Sequence, residues 1–340
     1  MINSNTVFIV GAGASAEFNF PVGKNLKTDL AKKLNLKFDG YNLSSGDADI
    51  ATVLRDVAPL DGNSQFAFND LMGAARQVSD TMPLAVSIDN YLNDHKNNGA
   101  AIIASKLAIV KTISEYEKAS PLYVDHRKND ELDFASIKEN WLLPFWQIVQ
   151  DGIDSHNVAS IFNNITIVSF NYDRCIEQFL TYDLSKYYRL STQSAAEMVN
   201  KIDIVHPYGS VGQFGVDLNG PSVRFGKPLV NRELYHASQH IKTFSESIDD
   251  GIRQQIGTYL YDARRVVFLG FGFHDQNLAL LSNPRSNLSD LVATIFGLSD
   301  QDFSFIRQKL KDIFPNVENP HFEQIDCCRM IERIGRRLKS

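Results

Sequence analysis

Four short stretches of this chain carry residue types that can hold or transform a ligand. The first is Gly11-Ala12-Gly13-Ala14-Ser15, entered directly from the apolar run Val7–Val10. The second is Asn171-Tyr172-Asp173, which closes Ile165–Phe170. The third is His206-Pro207-Tyr208-Gly209-Ser210, which closes Ile202–Val205. The fourth is Gly270-Phe271-Gly272-Phe273-His274-Asp275 after Arg265–Leu269, with Asn277 close behind. Glycines after a strand let backbone N–H groups approach a pyrophosphate, with a helix N-terminus behind them. The spacing Gly11-x-Gly13-x-x-Ala16 satisfies the dinucleotide fingerprint with alanine in the third place. The other stretches add a carboxamide, carboxylates and an imidazole, which suit hydrogen bonding and proton transfer.

These residues work together only if the chain brings the four strand ends to one place. Apolar strands separated by helical segments imply an α/β fold, a doubly wound and mainly parallel Rossmann-like sheet. Ligands bind such sheets outside the carboxyl ends of the strands, where all four stretches fall. A dinucleotide oxidoreductase starts its first helix at once after the glycines. Here Phe18–Gly23, with Pro21, interrupts, so the glycine turn is expected to open into a loop and the first helix to run from Val22 to Leu34. That enzyme class also needs an acidic residue about 20 positions past the glycines at the end of a second strand. Lys37-Phe38-Asp39 is the only candidate, which weakens a hydride-transfer reading.

Residues from about 40 to 160 read as a helical lobe inserted into a single sheet domain. Ile50–Val57, Phe66–Val78 and Ala100–Lys118 have helical spacing, and Trp141–Phe162 resumes it. Gly40–Gly46 and Asp61–Ser64 read as loops, and no strand is expected between Gly40 and Val124. Arg232–Asp262 reads as one long helical stretch and Leu291–Gly297 as a fifth strand. From about 300 to 340 follow a helix over Asp302–Ile313, a strand at Phe322–Ile325 and a terminal helix from Cys328.

The totals narrow the partners. A net charge of −6 gives no sign of a nucleic-acid binder, and no apolar run is long enough to span a membrane. The start of the chain lacks the basic end and apolar stretch of a signal peptide. Three cysteines, two of them adjacent, fit a reducing cytoplasm better than a disulfide framework.

In this order and spacing the four stretches resemble the sirtuin family, in its divergent bacterial branch associated with anti-phage defence. Gly11–Ser15 matches the Gly-Ala-Gly-x-Ser turn, and Asn171-Tyr172-Asp173 matches part of a Gln-Asn-Ile-Asp strand end. His206 matches the catalytic histidine, and Gly270-Phe271-Gly272 loosely matches a Gly-Thr-Ser turn. The departures are a missing zinc ribbon, since no Cys-x-x-Cys occurs, Phe170 in place of Gln, and Phe271-Gly272 in place of Thr-Ser. Pro21-Val22-Gly23-Lys24 stands where deacylase sirtuins have Pro-Asp-Phe-Arg. The resemblance therefore implies hydrolysis of NAD at the nicotinamide–ribose bond, with no metal, as an antiviral defence that depletes NAD. Lysine deacylation and a turnover-free NAD or ADP-ribose sensor are the alternatives. A homo-oligomer, and in some relatives a HerA-type DNA-translocating ATPase, are the partners it suggests.

On that reading Asn171 positions the water and the ribose, and His206 takes a proton from either. The resemblance gives Asp173 the nicotinamide amide. Gly11–Ser15 would take the pyrophosphate, with Gly270 and Gly272 beside the second ribose and Asp275 or Asn277 on its hydroxyls. Structural readings compete with these roles. Asn171 and Asp173 can form an Asx turn that opens a helix at Arg174, and Asp275 can cap the next one. In Ser87–Leu92, Asp89 can face the pocket, although capping is its simpler role. His236 and His240 share a helix face but lack a third ligand, and Arg329–Lys339 reads as a basic amphipathic surface helix.

Overall fold

A computed structural model describes residues 2–60, 66–128, 131–137, 139–217, 222–249, 251–282 and 287–339. The central sheet contains β1 (Thr6–Val10), β4 (Ile165–Ser169), β5 (Asp203–Val205), β6 (Arg265–Leu269), β7 (Asp290–Thr294) and β8 (His321–Glu323). All neighbours pair in parallel, in the spatial order β5-β4-β1-β6-β7-β8. Numbered within the sheet alone this is 3-2-1-4-5-6, the doubly wound order whose ligand crevice opens where the direction of winding reverses. The reversal lies between β1 and β6. Every residue of these two strands is buried, as continuous apolar runs flanked by helices on both faces require. The mainly parallel Rossmann-like fold expected from the sequence is the one observed.

Register decides what gathers at the crevice. Val10 lies opposite Ser169 on one side and Leu269 on the other. Gly11, Phe170 and Gly270 therefore leave the sheet level with one another. β5 stops short, with Val205 opposite Val168, so His206 lies two residues below Asn171.

Several local expectations are corrected. The glycine turn is not a loop: Ala12–Ala16 forms a short helix, which ends before Asn19, at a φ of 68°. A second helix, Gly23–Leu34, follows Pro21. Lys37–Asp39 (β2), the candidate second strand, pairs antiparallel with Asn42–Ser45 (β3), which falls where a loop was expected, so the two form a hairpin outside the central sheet. Its exposed and half-exposed residues alternate with too little apolar character to mark it in the sequence. Asp61–Ser64 lies outside the described residues. The expected helix over Trp141–Phe162 covers only Leu142–Val149.

The stretch Arg232–Asp262 is three helices, Asn231–Ser238, Phe244–Asp249 and Ile252–Asp262. Reciprocal hydrogen bonds between Thr243 and Glu246 start the second of these, and Gly251 at a φ of 76° separates it from the third. His240 thus lies beyond the helix that holds His236. The terminal helix Cys327–Leu338 is docked within the chain: it packs on Leu142–Val149, and Arg337 pairs with Asp290. Helices Ala48–Leu60, Phe68–Thr81, Ile88–Asp94 and Gly99–Ala119 lie between β3 and β4. Among the described residues no helix is long and apolar enough to cross a membrane.

Candidate functional site

A cavity of about 660 Å³ opens at the winding reversal, within the size range of cofactor pockets. Its wall includes Gly11, Ala12, Gly13, Ser15, Asn171, Tyr172, Asp173, Gly270, Phe271, Gly272 and Asn277. Three of the four stretches therefore converge. Ala14 is buried behind the turn, and neither His206 nor Asp275 is part of the wall. Asp275 pairs with Lys309 and its side chain is 80% exposed.

The glycines have a different first role from the one the fingerprint suggests. A Cβ on Gly11 would lie 2.6 Å from the carbonyl oxygen of Gly270, and one on Gly270 would lie 2.2 Å from the nitrogen of Ala14. Gly270 also has a φ of 58°, in the region that side chains rarely adopt. The N–H groups of Gly11 and Gly13 donate to Leu269 and Gly270, each at 2.9 Å. The glycines thus pack two strand-end turns against each other, and their own amides are already used. Among the described residues the N–H groups of Ala12 and Gly272 donate to no protein acceptor, so these two face the cavity with donors to offer.

Asn171 ties β4 to the turn. Its Nδ2 donates to the Gly11 carbonyl at 3.0 Å and to Ser15 Oγ at 2.8 Å. Both amide hydrogens are committed, which leaves its carboxamide oxygen as the acceptor it can present. The role of both donor and acceptor expected from the sequence narrows to acceptor alone. The Asx reading holds in part for Asp173, whose Oδ1 accepts from the Cys175 N–H at 3.2 Å below helix Cys175–Tyr188. Burial raises the Asp173 carboxyl above the ordinary range, against hydrogen bonds from Cys175 and Ser15 that pull it down. The next residue, Arg174, forms a fully buried two-pronged pair with Glu117 at 2.9 and 2.6 Å. That pair locks the strand end onto helix Gly99–Ala119.

His206 sits behind Asn171. Its Nδ1 lies 2.9 Å from the Asn171 carbonyl and its Nε2 lies 3.0 Å from Glu177 Oε1. Both partners are acceptors, which a neutral imidazole with one N–H cannot satisfy. Burial disfavours the cation, but the Glu177 carboxylate and the Asn171 carbonyl outweigh it, and the pKa is raised. Both contacts thus favour the protonated, clamped ring. The expected role, a neutral base in contact with water or ribose, does not match this geometry, because the short β5 places the ring below the cavity floor.

Of the remaining polar lining, Asp89 and Asn277 were expected at the pocket, whereas Glu17 and Asp326 carried no signal in the sequence. Asp89 reaches the wall from helix Ile88–Asp94, and Tyr172 Oη donates to its Oδ1 at 2.5 Å. Asn277 Oδ1 accepts from Tyr208 Oη at 2.7 Å, so its amide hydrogens remain to be offered. Glu17 accepts from the N–H groups of Trp141, Cys327 and Cys328 at 2.7, 2.9 and 3.1 Å. Burial raises its pKa to about 7 despite those bonds. With Asp173 and Asp326 the described wall holds four carboxyl groups, and it holds no Lys or Arg. Phe170 and Phe271, both at positions that depart from the sirtuin pattern, contact each other edge to face at 5.0 Å. Among the described residues no group of three His, Cys, Asp or Glu side chains could hold a metal.

No curated protein matches the chain. A family model described as a SIR2-like domain matches residues 165–294. That stretch runs from β4 to β7 and includes Asn171–Asp173, His206 and Gly270–Asn277; the glycine turn and the helices before β4 lie outside it. SIR2-like domains are in general NAD-dependent enzymes, so the match points to NAD-related activity and supports a sirtuin-like family for this chain.

Proposed function

We propose that this protein hydrolyses NAD to nicotinamide and ADP-ribose. The observation that carries the reading is Asn171, whose amide hydrogens are spent on the glycine turn and whose oxygen is left to face a nucleotide-sized cavity. That oxygen is suited to hold an attacking water by accepting one of its hydrogens. In the reaction the bond between ribose C1′ and the pyridinium nitrogen breaks, and its electron pair neutralises the leaving nicotinamide. Water then bonds to C1′ and releases a proton to solvent. Positive charge moves from the pyridinium ring to the ribose as the bond breaks. A wall whose described residues include Asp89, Asp173 and Asp326 and no Lys or Arg supports both the substrate ring and the developing oxocarbenium centre. Ala12 and Gly272 supply N–H donors for the phosphates.

A sensor that binds NAD or ADP-ribose without turnover is the second reading, favoured by His206, which has no free nitrogen to act as a base. Lysine deacylation has no such observation behind it. The antiviral role, the homo-oligomer, the HerA-type ATPase partner and a cytoplasmic setting are proposed on the family resemblance alone.

Nicotinamide release from NAD, followed for the wild type and for Asn171→Ala, tests the hydrolase. Wild-type release and a fall of about 100-fold or more in the variant are expected. Saturable NAD binding with no release would favour the sensor, and equal turnover in both proteins would remove Asn171 from the mechanism.

A further inference from the structure

Asp89 lies outside the four strand-end stretches and lines the cavity, as Ser87–Leu92 allowed. It comes from the helices between β3 and β4, and the local donor its carboxyl takes is its own backbone N–H. Ser87 caps its helix, accepting the Asn90 N–H at 3.0 Å, so the capping role open to Asp89 is already filled. Tyr172 Oη holds Asp89 Oδ1 at 2.5 Å, and Tyr172 lies between Asn171 and Asp173 in the chain. Gln276, beyond the β6 end, donates to the Asp89 backbone carbonyl at 3.5 Å. Tyr172 thus holds the carboxyl from the β4 end while Gln276 holds the backbone from the β6 end, and among the described residues no other side chain bonds the second carboxyl oxygen.

A carboxylate accepts and does not donate, so what it meets in the cavity must carry hydrogen-bond donors. A phosphate does not qualify, and the described wall contains no Lys or Arg to pair with it. The donors that a dinucleotide carries in adjacent pairs are the hydroxyls of its riboses. We propose that Asp89 is the residue by which the inserted helices recognise a bound dinucleotide, accepting hydrogen bonds from the 2′- and 3′-hydroxyls of the ribose beside the β4 end. This inference rests on the NAD reading above. It makes Asp89 a specificity residue, set in place by Tyr172.

The test is calorimetric binding of carba-NAD, which cannot be hydrolysed and keeps both hydroxyls on its nicotinamide-side ring. Two counterparts complete the set, one lacking the 2′-hydroxyl and one with a carboxylic acid in place of the carboxamide. A hydrogen bond to a charged acceptor predicts that the wild type prefers carba-NAD over the deoxy compound by about ten- to a hundredfold. Asp89→Asn should reduce that preference to about threefold or less, and Tyr172→Phe should reduce it partly. Each preference is a ratio measured within one protein, so a smaller folded fraction in a variant cancels. An unchanged deoxy ratio in Asp89→Asn would overturn the inference, as would loss of discrimination at the carboxamide instead. Binding of carba-NAD without nicotinamide release from NAD would overturn the hydrolase and leave the Asp89 result standing. If the wild type bound none of the three, both readings would fall.

Discussion

His206 shows how one side chain can match a motif and be held by partners that the motif does not suggest. A general base is lost at low pH, when it becomes protonated. A clamped imidazolium behaves in the opposite way. Its folded pKa is raised above the ordinary value of 6.5, so its contribution is complete below that value and is lost as pH rises through the folded pKa. Nicotinamide release should therefore decline on the alkaline side, and Glu177→Gln should move that decline to lower pH. A decline only on the acid side would restore His206 as a base. His206→Ala is a poor probe, because Glu177 Oε2 is already buried without a partner. Removing the ring strands a buried carboxylate, at about 3–5 kcal/mol. The histidine itself was legible from its place after a strand. Its partners were not, since Glu177 reaches it only once helix Cys175–Tyr188 folds back beneath the sheet.

At the scale of elements, the strand ends were readable because β1, β4 and β6 are buried apolar runs that stop at glycine or asparagine. The β2–β3 hairpin was not, because it buries little and its alternation carries little apolar character. The long helical stretch from Arg232 hid its breaks, since Thr243 and Gly251 interrupt it without disturbing the apolar period. The contact between the two glycine turns was also invisible: Gly11 and Gly270 are 259 positions apart, and only the parallel register places them together. Gly270→Ala should cost about 2–4 kcal/mol, through both backbone strain and the clash with Ala14, and should lower the melting temperature. Gly73→Ala is the control. It lies in helix Phe68–Thr81 with nothing within 4 Å of the added carbon, and should gain up to about 1 kcal/mol. Similar melting temperatures for the two variants would contradict the turn-on-turn packing.

For the molecule as a whole, the buried acids lean one way. Burial raises Glu17 from 4.5 and Asp183 from 3.8, each to about 7. The folded chain thus holds protons that the unfolded chain has released over that interval, so stability falls as pH rises from about 4 to 7. Asp290 acts in the other direction: burial opposes its charge, but Arg337 and Arg265 outweigh that and lower its pKa, so its contribution is lost in stronger acid. Thermal melts should therefore show a maximum on the acid side of neutral, with a shallower fall towards pH 8 in Glu17→Gln. A maximum above pH 8 would be inconsistent with a buried, protonated Glu17. The locked pair of turns has a kinetic consequence as well. With Gly11, Gly13 and Gly270 interlocked by backbone hydrogen bonds and Asp89 held by Tyr172, admitting a dinucleotide falls to the rest of the wall, at Val22–Leu26 and Val86–Ser87. Hydrogen–deuterium exchange should find the Gly11 and Gly13 amides among the slowest in the chain and those of Val86 and Ser87 far faster, with added ligand slowing mainly the second group.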